Sequence, residues 1–160
     1  MTVSVRPART DEAPWIEDEI RRRWGSDVVV SRGLVHRPAG LPGFVAEEDG
    51  APVGLLTYHV GEAGCEIVTI DAFESRRGIG RALVEAVRTL GHPRLWLATT
   101  NDNVVAQRFY ERLGFRLAAV HHGAVARSRE IKPEIPELAP DGTPIRDELE
   151  YEWRPGLGPS

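Results

Sequence analysis

Apolar and polar residues alternate in some stretches of this chain and recur at helical spacing in others. Residues 3–6 alternate as a short strand would. Trp15, Ile16, Ile20 and Trp24 then fall on one helical stripe, which Gly25 closes. Thr10 and Asp11 offer caps for that helix, and Pro14 sits in its first turn, where a missing N–H costs little. Residues 28–30, all valine, predict a further strand, and the remainder of 26–42 reads as loop. Residues 43–48 and 52–60 flank Asp49-Gly50, a strong hairpin signal. After a second turn at 61–64, residues 65–72 form another strand, so three consecutive strands make an antiparallel meander.

The period then changes. Ile79, Ala82, Leu83, Ala86, Val87 and Leu90 form an apolar helical stripe that His92-Pro93 breaks. Residues 95–99 are a compact apolar strand. Asn101, Asp102 and Asn103 offer caps for a helix carrying Val105, Ala106, Phe109 and Leu113, which Gly114 ends. Residues 115–120 resume strand character. The βαβαβ order from residue 65 favours parallel pairing in its first half. Residues 128–146 carry Pro133, Pro136, Pro140 and Pro144, a density expected to exclude a regular helix or central strand. Residues 147–153 alternate again, with Leu149, Tyr151 and Trp153 on one face of a last strand. We expect one domain over 1–153 and a frayed tail at 154–160.

Charge and composition narrow the function. A net charge of −4 gives no overall attraction to a polyphosphate chain, so nucleic acid is not expected as a partner. One cysteine, Cys65, permits no intrachain disulfide, and its flanks read as buried strand. No apolar run reaches the length of a membrane span and no signal core opens the chain, so a cytoplasmic location without membrane contact is expected. His121 and His122 lack carboxylates at ligand spacing, and no metal site is expected.

The densest chemistry lies where a strand gives way to a helix, in Arg76-Arg77-Gly78-Ile79-Gly80-Arg81-Ala82-Leu83. N–H groups opening a helix point at an anion, and the macrodipole favours negative charge there. Gly78 and Gly80 let phosphate oxygens approach the backbone, and Arg76, Arg77 and Arg81 can add charge-assisted hydrogen bonds. A tight turn with a solvated basic rim would look the same in isolation. Dinucleotide and mononucleotide fingerprints fit poorly, because there is no Gly-x-Gly-x-x-Gly and no Gly-Lys-Ser or Gly-Lys-Thr.

Ser75-Arg76-Arg77-Gly78-Ile79-Gly80 resembles the Arg/Gln-x-x-Gly-x-Gly/Ala motif of the GNAT acetyltransferases, with Ser75 in place of Arg or Gln. A frame shifted by two, Arg77-Gly78-Ile79-Gly80-Arg81-Ala82, also matches formally. The second signature of that family is similar to Asn103-x-x-Ala106-x-x-Phe109-Tyr110 followed by Gly114-Phe115, which agrees at every position. The resemblance implies a GNAT fold of the α/β (α+β) class. In it, a mixed, mostly antiparallel sheet of six to seven strands is splayed at its parallel centre and flanked by three to four helices. It implies acetyl-CoA as cosubstrate, with no metal. Arg76, Arg77, Gly78, Ile79, Gly80, Arg81 and Ala82 would hold the pyrophosphate. The backbone at Ile70, Asp71 and Ala72, with Asn103 and Ala106, would meet the pantetheine arm. Tyr110 would be the general acid to the leaving thiolate; without the motif it reads as a half-buried helix aromatic.

The acceptor amine must lose a proton before it attacks. Glu66 is the candidate general base, on an expected strand face shared with Val68 and Ile70, and Asp71 is the second candidate. Tyr58 and His36 are outside candidates. Residues 26–42 and 127–146 are expected to frame the acceptor, whose identity the sequence leaves open; the long second segment could equally be a surface excursion or a dimer arm. The implied function is N-acetyl transfer by direct attack in a ternary complex. The alternative is a non-catalytic acyl-CoA sensor of the same fold.

Overall fold

A computed structural model describes residues 2–74 and 78–156 of the chain. In order, the elements are β1 (Ser4–Pro7), α1 (Ala13–Trp24), β2 (Val29–Ser31), β3 (Leu34–His36), β4 (Gly43–Glu48), β5 (Ala51–Gly61), β6 (Gly64–Ala72), α2 (Ile79–Arg88), β7 (Leu95–Thr100), α3 (Val104–Arg112), β8 (Arg116–His121), α4 (Ala124–Ile131) and β9 (Glu148–Trp153). Single 3-10 turns at Thr10–Glu12 and Pro38–Gly40 complete them. The elements fall into two compact units: one holds the chain to Val29 and His36–Pro93, the other Val30–Val35 and the chain from Arg94.

The first unit carries four strands in the order β1-β4-β5-β6, each antiparallel to its neighbour. The expected hairpin closes through Asp49 (φ 52°) and Gly50 (φ 78°), the paired left-handed geometry that matches strand twist. One sheet face holds Val45 and Leu55, which pack with Ile16 and Ile20 of α1. The other face carries α2. There Gly54 decides how near the helix can come. A Cβ on Gly54 would lie 2.7 Å from Ile79 Cγ2, 3.0 Å from the Asp71 carbonyl oxygen and 3.1 Å from Leu83 Cδ1. Ile79, Leu83 and Val87 are buried, as the apolar stripe predicts, and so is Val84, which lies outside that stripe.

Strand β6 departs from plain alternation. Thr57 pairs with Thr69 but Tyr58 pairs with Ile67, so Val68 is an extra residue in a bulge. β5 is regular through this stretch, so Leu55, Thr57 and His59 share a face, and so do their partners Asp71, Thr69 and Glu66. The expectation that Glu66 shares a face with Val68 and Ile70 is therefore overturned. One inserted residue moves Glu66 to the face of Thr69 and Asp71, the face on which α1 packs.

The second unit carries three strands in the order β7-β9-β8, with β9 antiparallel to both neighbours. The expectation of no helix in 128–146 is overturned at its start, where α4 runs to Ile131. The prolines act only beyond that point: Lys132, before Pro133, is already extended at φ −131°, ψ 82°. Residues 132–146 are not a bare loop either. The Arg129 guanidinium donates to the carbonyls of Ile135 (3.2 Å), Pro136 (2.7 Å) and Ile145 (2.7 Å). Asn101 ties the far end, donating to the Pro144 carbonyl and accepting from the amides of Arg146 and Asp147. Within 26–42, β2 and β3 form a two-stranded sheet about Arg32 (φ 48°) and Gly33 (φ 77°), where only the first strand was expected. Among the described residues, no helix is long and apolar enough to cross a membrane.

Candidate functional site

Helix α2 begins directly at the glycine pair. Gly78 is its N-cap at φ 95°, ψ −11°, a left-handed conformation that a side chain would strain, and among the described residues no side-chain cap is found for the helix. The N–H groups of Ile79, Gly80 and Arg81 occupy the first three helical positions and have no acceptor within the helix. The Ala82 N–H is committed, donating to the Gly78 carbonyl at 2.9 Å. Ile79 is 0% exposed, so its side chain belongs to the core. Gly78 and Arg81 are exposed. Ser75, Arg76 and Arg77, on which the sequence places much of the positive charge, lie outside the described residues.

Upstream, β6 ends in Ile70, Asp71 and Ala72. Alternate residues of this strand direct N–H and C=O to the edge opposite β5. Asp71 itself accepts a hydrogen bond from Trp24 Nε1 at 2.8 Å. Burial pushes its carboxyl above the usual carboxylate range, against the opposing pull of the Trp24 hydrogen bond. The Arg23 guanidinium lies 3.8 Å over the ring of Phe73, whose other neighbour is Trp15, edge-on at 6.2 Å. Thus α1 grips the chain just before the glycine loop.

In the second unit, Asn103 caps α3: its side-chain oxygen accepts from the Ala106 N–H at 3.2 Å. Of the three cap candidates the structure selects this one, while Asn101 is engaged elsewhere. Ala106 is half-buried. Tyr110 is 4% exposed and set edge-on between Phe109 (5.0 Å) and Phe115 (5.3 Å). Its carbonyl accepts from the Phe115 amide, and Gly114, at φ 89°, makes the turn that allows it.

The base candidates gather in the first unit. Glu66 is 2% exposed. His36, from β3, is 6% exposed, with Nε2 at 3.3 Å from Glu66 Oε1 and its ring 5.2 Å from that of His59. Tyr58 stacks on Phe44 at 5.8 Å on the opposite sheet face. Cys65 is buried, and that burial, followed by the charge of Glu66, pushes its thiol up to about 11. His121 lies 3.0 Å from Glu150 and His122 3.6 Å from Asp147. Among the described residues, no three His, Cys, Asp or Glu side chains converge as a metal site would require.

Three features escaped the sequence. Gly54 could have been flagged as a glycine inside a strand, a usual mark of close backbone approach. The bulge at Val68 has no sequence signal, and neither has the placing of His36 beside Glu66.

A helix opened by a left-handed glycine after an antiparallel meander, followed by an asparagine-capped helix that carries Phe109-Tyr110, defines a class of fold before it defines a chemistry. The chain belongs to the GNAT acetyltransferase family: the profile described as Acetyltransferase (GNAT) family matches residues 5–115. It is 39% identical over 139 residues to the uncharacterized protein YdhI of Bacillus subtilis (strain 168), covering 84% of this chain and 87% of that one. Its fold resembles the IAA acetyltransferase from Bacillus cereus ATCC 14579 at a TM-score of 0.67 and 19% identity, over 96% of this chain and 99% of that one. It also resembles a GNAT family acetyltransferase from Elizabethkingia anophelis with acetyl-CoA bound, at a TM-score of 0.63 and 15% identity, over 95% and 97% of the two chains.

Proposed function

We propose that this protein is an enzyme that transfers an acetyl group from acetyl-CoA to an amine by direct attack, and that it does so in the cytoplasm. The observation that carries the reading is the start of α2, where consecutive N–H groups follow a left-handed glycine and no side chain among the described residues caps them. Such a start suits a diphosphate. Family membership, and the acetyl-CoA bound to a structural neighbour, make coenzyme A the ligand of choice.

In this reading the amides of Ile79, Gly80 and Arg81 hold the pyrophosphate, and the backbone at residues 70–72 meets the pantetheine arm. A β6 N–H polarises the thioester carbonyl and stabilises the oxyanion. Glu66 accepts the proton that the ammonium must lose. The amine then forms the C–N bond and the C–S bond breaks. Tyr110 gives its phenolic proton to the departing thiolate, and the second amine proton restores the phenol. One proton leaves to water per turnover.

The test is calorimetric titration of coenzyme A into the protein, then thiol release from acetyl-CoA across a panel of primary amines. Saturable heat at one site and turnover with at least one amine are expected. No heat with coenzyme A would overturn the assignment. Tight acetyl-CoA binding without turnover on any amine would identify a sensor instead.

A further inference from the structure

Resting on the reading above, we propose that Glu148 determines acceptor specificity: it binds a second cationic group of an amine acceptor that carries one, and Arg32 keeps that place in the free protein. The acceptor class is a diamine or an aminoalkylguanidine. Glu148, Arg32 and the groups around them all belong to the second unit.

Alternation along β9 puts Glu148, Glu150 and Glu152 on one sheet face. Tyr151, on the other face, donates to Glu111 of α3 at 3.2 Å, so the helix that carries Tyr110 lies opposite the glutamates. Two of the three are held by cations from the same sheet. Glu152 accepts from Arg94 (2.8 Å), Arg116 (3.3 Å) and Arg154 (3.2 Å). Glu150 accepts from Arg94 and lies 3.0 Å from His121. Glu148 differs. It is 5% exposed, and His121, its ladder partner on β8, turns to Glu150 instead. Its Oε2 accepts from the Arg32 amide at 3.2 Å. Its Oε1 accepts no hydrogen bond among the described residues, and the Arg32 guanidinium stands 3.5 Å away. A buried carboxylate oxygen left without a hydrogen bond is costly, and such a defect calls for a missing donor.

Arg32 is built as a provisional partner. It sits on the turn between β2 and β3 at φ 48°, a left-handed conformation that a side chain rarely adopts, and its side chain is 32% exposed. A cation arriving from solvent can displace the guanidinium from Oε1 while the Arg32 amide goes on holding Oε2. The location suits an acceptor. Glu148 stands opposite Thr100, the last residue of β7, and Asn101 ties that end by accepting from the amides of Arg146 and Asp147. Asn103, read above as a contact of the pantetheine arm, follows in the same loop. Glu148 therefore lies at the end of the unit to which that reading brings the thioester, on the face away from α3. A dication anchored there by one end leaves its other amine free to react.

The experiment uses 4-aminobutylguanidine and its uncharged isostere 4-aminobutylurea, with shorter and longer homologues of each, at matched ionic strength. The guanidinium keeps its proton, so only the primary amine can be acetylated. Calorimetry with coenzyme A present should show the guanidine binding about tenfold or more tighter than the urea at the best chain length. Thiol release from acetyl-CoA should show the same preference in kcat/KM. In E148Q that preference should fall to about twofold or less. R32A should bind the guanidine more tightly than wild type does. The guanidine, and not the urea, should also restore the thermal midpoint that R32A loses. A merely structural tie between Glu148 and Arg32 predicts otherwise: E148Q would weaken both ligands alike, and R32A would bind neither more tightly. Either result, or a wild type without charge preference at every chain length, overturns the proposal. If E148Q does not fold, R32A decides alone. Turnover of amines without charge preference removes this site and leaves the acetyltransfer reading standing. A Glu148-dependent preference in calorimetry, with no amine acetylated, keeps the cation site and removes the enzyme.

Discussion

The two units open their helices α2 and α3 in opposite ways. Helix α2 starts on a left-handed glycine, and no side chain among the described residues caps its first amides. Helix α3 starts on Asn103, whose side chain already satisfies the Ala106 amide. In the proposed reading the first unit offers a ligand its backbone, and the second offers side chains, Asn103 and Tyr110. Binding and chemistry should therefore respond to different kinds of mutation. In the second unit, substitutions should change rate or one contact. In the first, the most damaging changes should be those that move the backbone, even from positions that never touch ligand.

The largest effect is expected for Tyr110→Phe. Loss of a general acid costs about 10²- to 10⁴-fold in rate. The ring contacts with Phe109 and Phe115 would survive, so stability and coenzyme A affinity should hold. Thiol release and calorimetry on one preparation would check both halves, and a large loss of affinity would mean that Tyr110 belongs to binding. Second is Gly54→Ala. The added Cβ, 2.7 Å from Ile79 Cγ2, forces the start of α2 to shift. Overpacking of this kind costs about 1–3 kcal/mol. Urea unfolding should show that loss, and coenzyme A should bind more weakly although no ligand contact was removed. Unchanged affinity in a destabilised G54A would break the claim that backbone placement governs this half.

The elements that were legible in the sequence are those with a strong local cause. The stripe Ile79, Leu83 and Val87 specifies α2, and all three are buried. Asp49-Gly50 specifies the hairpin because few other pairs adopt two left-handed conformations in a row. Asn103 reads as a cap and is one. What was hidden has non-local causes. Helix α4 was masked by prolines that begin only at Pro133, past its end. The face of Glu66 was misassigned because strict alternation assumes a regular strand, and the bulge at Val68 shows only once β5 is paired beside it. Gly54 needs Ile79 against it to acquire meaning, and His36 needs Glu66; both pairings join residues far apart in the chain.

Third in size is a variant that separates the two duties of Asn103. Its oxygen is engaged by Ala106, so only its amide N–H groups remain for a ligand. Asn103→Asp keeps an acceptor for the cap and places negative charge at a helix start, where it is tolerated. Its thermal midpoint should stay near wild type. Coenzyme A should bind roughly tenfold more weakly, the equivalent of one hydrogen bond worth about 1.4 kcal/mol. Asn103→Ala should lose both, with about 1 kcal/mol of stability gone with the cap. Equal coenzyme A affinity in wild type and N103D would assign Asn103 to the cap alone.

The smallest expected effect concerns how each unit holds its carboxylates, where the units agree. In the second, Arg94 clamps Glu150 and Glu152 together. In the first, Arg6 grips both oxygens of Glu12 at 2.8 Å, and that hydrogen bonding holds the Glu12 carboxyl down to about 2. A carboxyl whose folded-state value lies below its unfolded one stabilises the fold above the unfolded value, and loses that contribution as pH falls through the folded one. The Glu12–Arg6 pair, partly open to solvent, should thus be worth about 1 kcal/mol at pH 7 after allowance for screening. Urea unfolding of wild type and Glu12→Gln should differ by that amount at pH 7. The gap should start to close below about pH 4.5 and shrink to about a quarter by about pH 2.5, where the unfolded chain is protonated and the folded one is following. A gap that stays constant down to pH 2.5 would trace the stability to packing around Glu12 rather than to its charge. The likeness between the units in this respect would then be one of geometry and not of electrostatics.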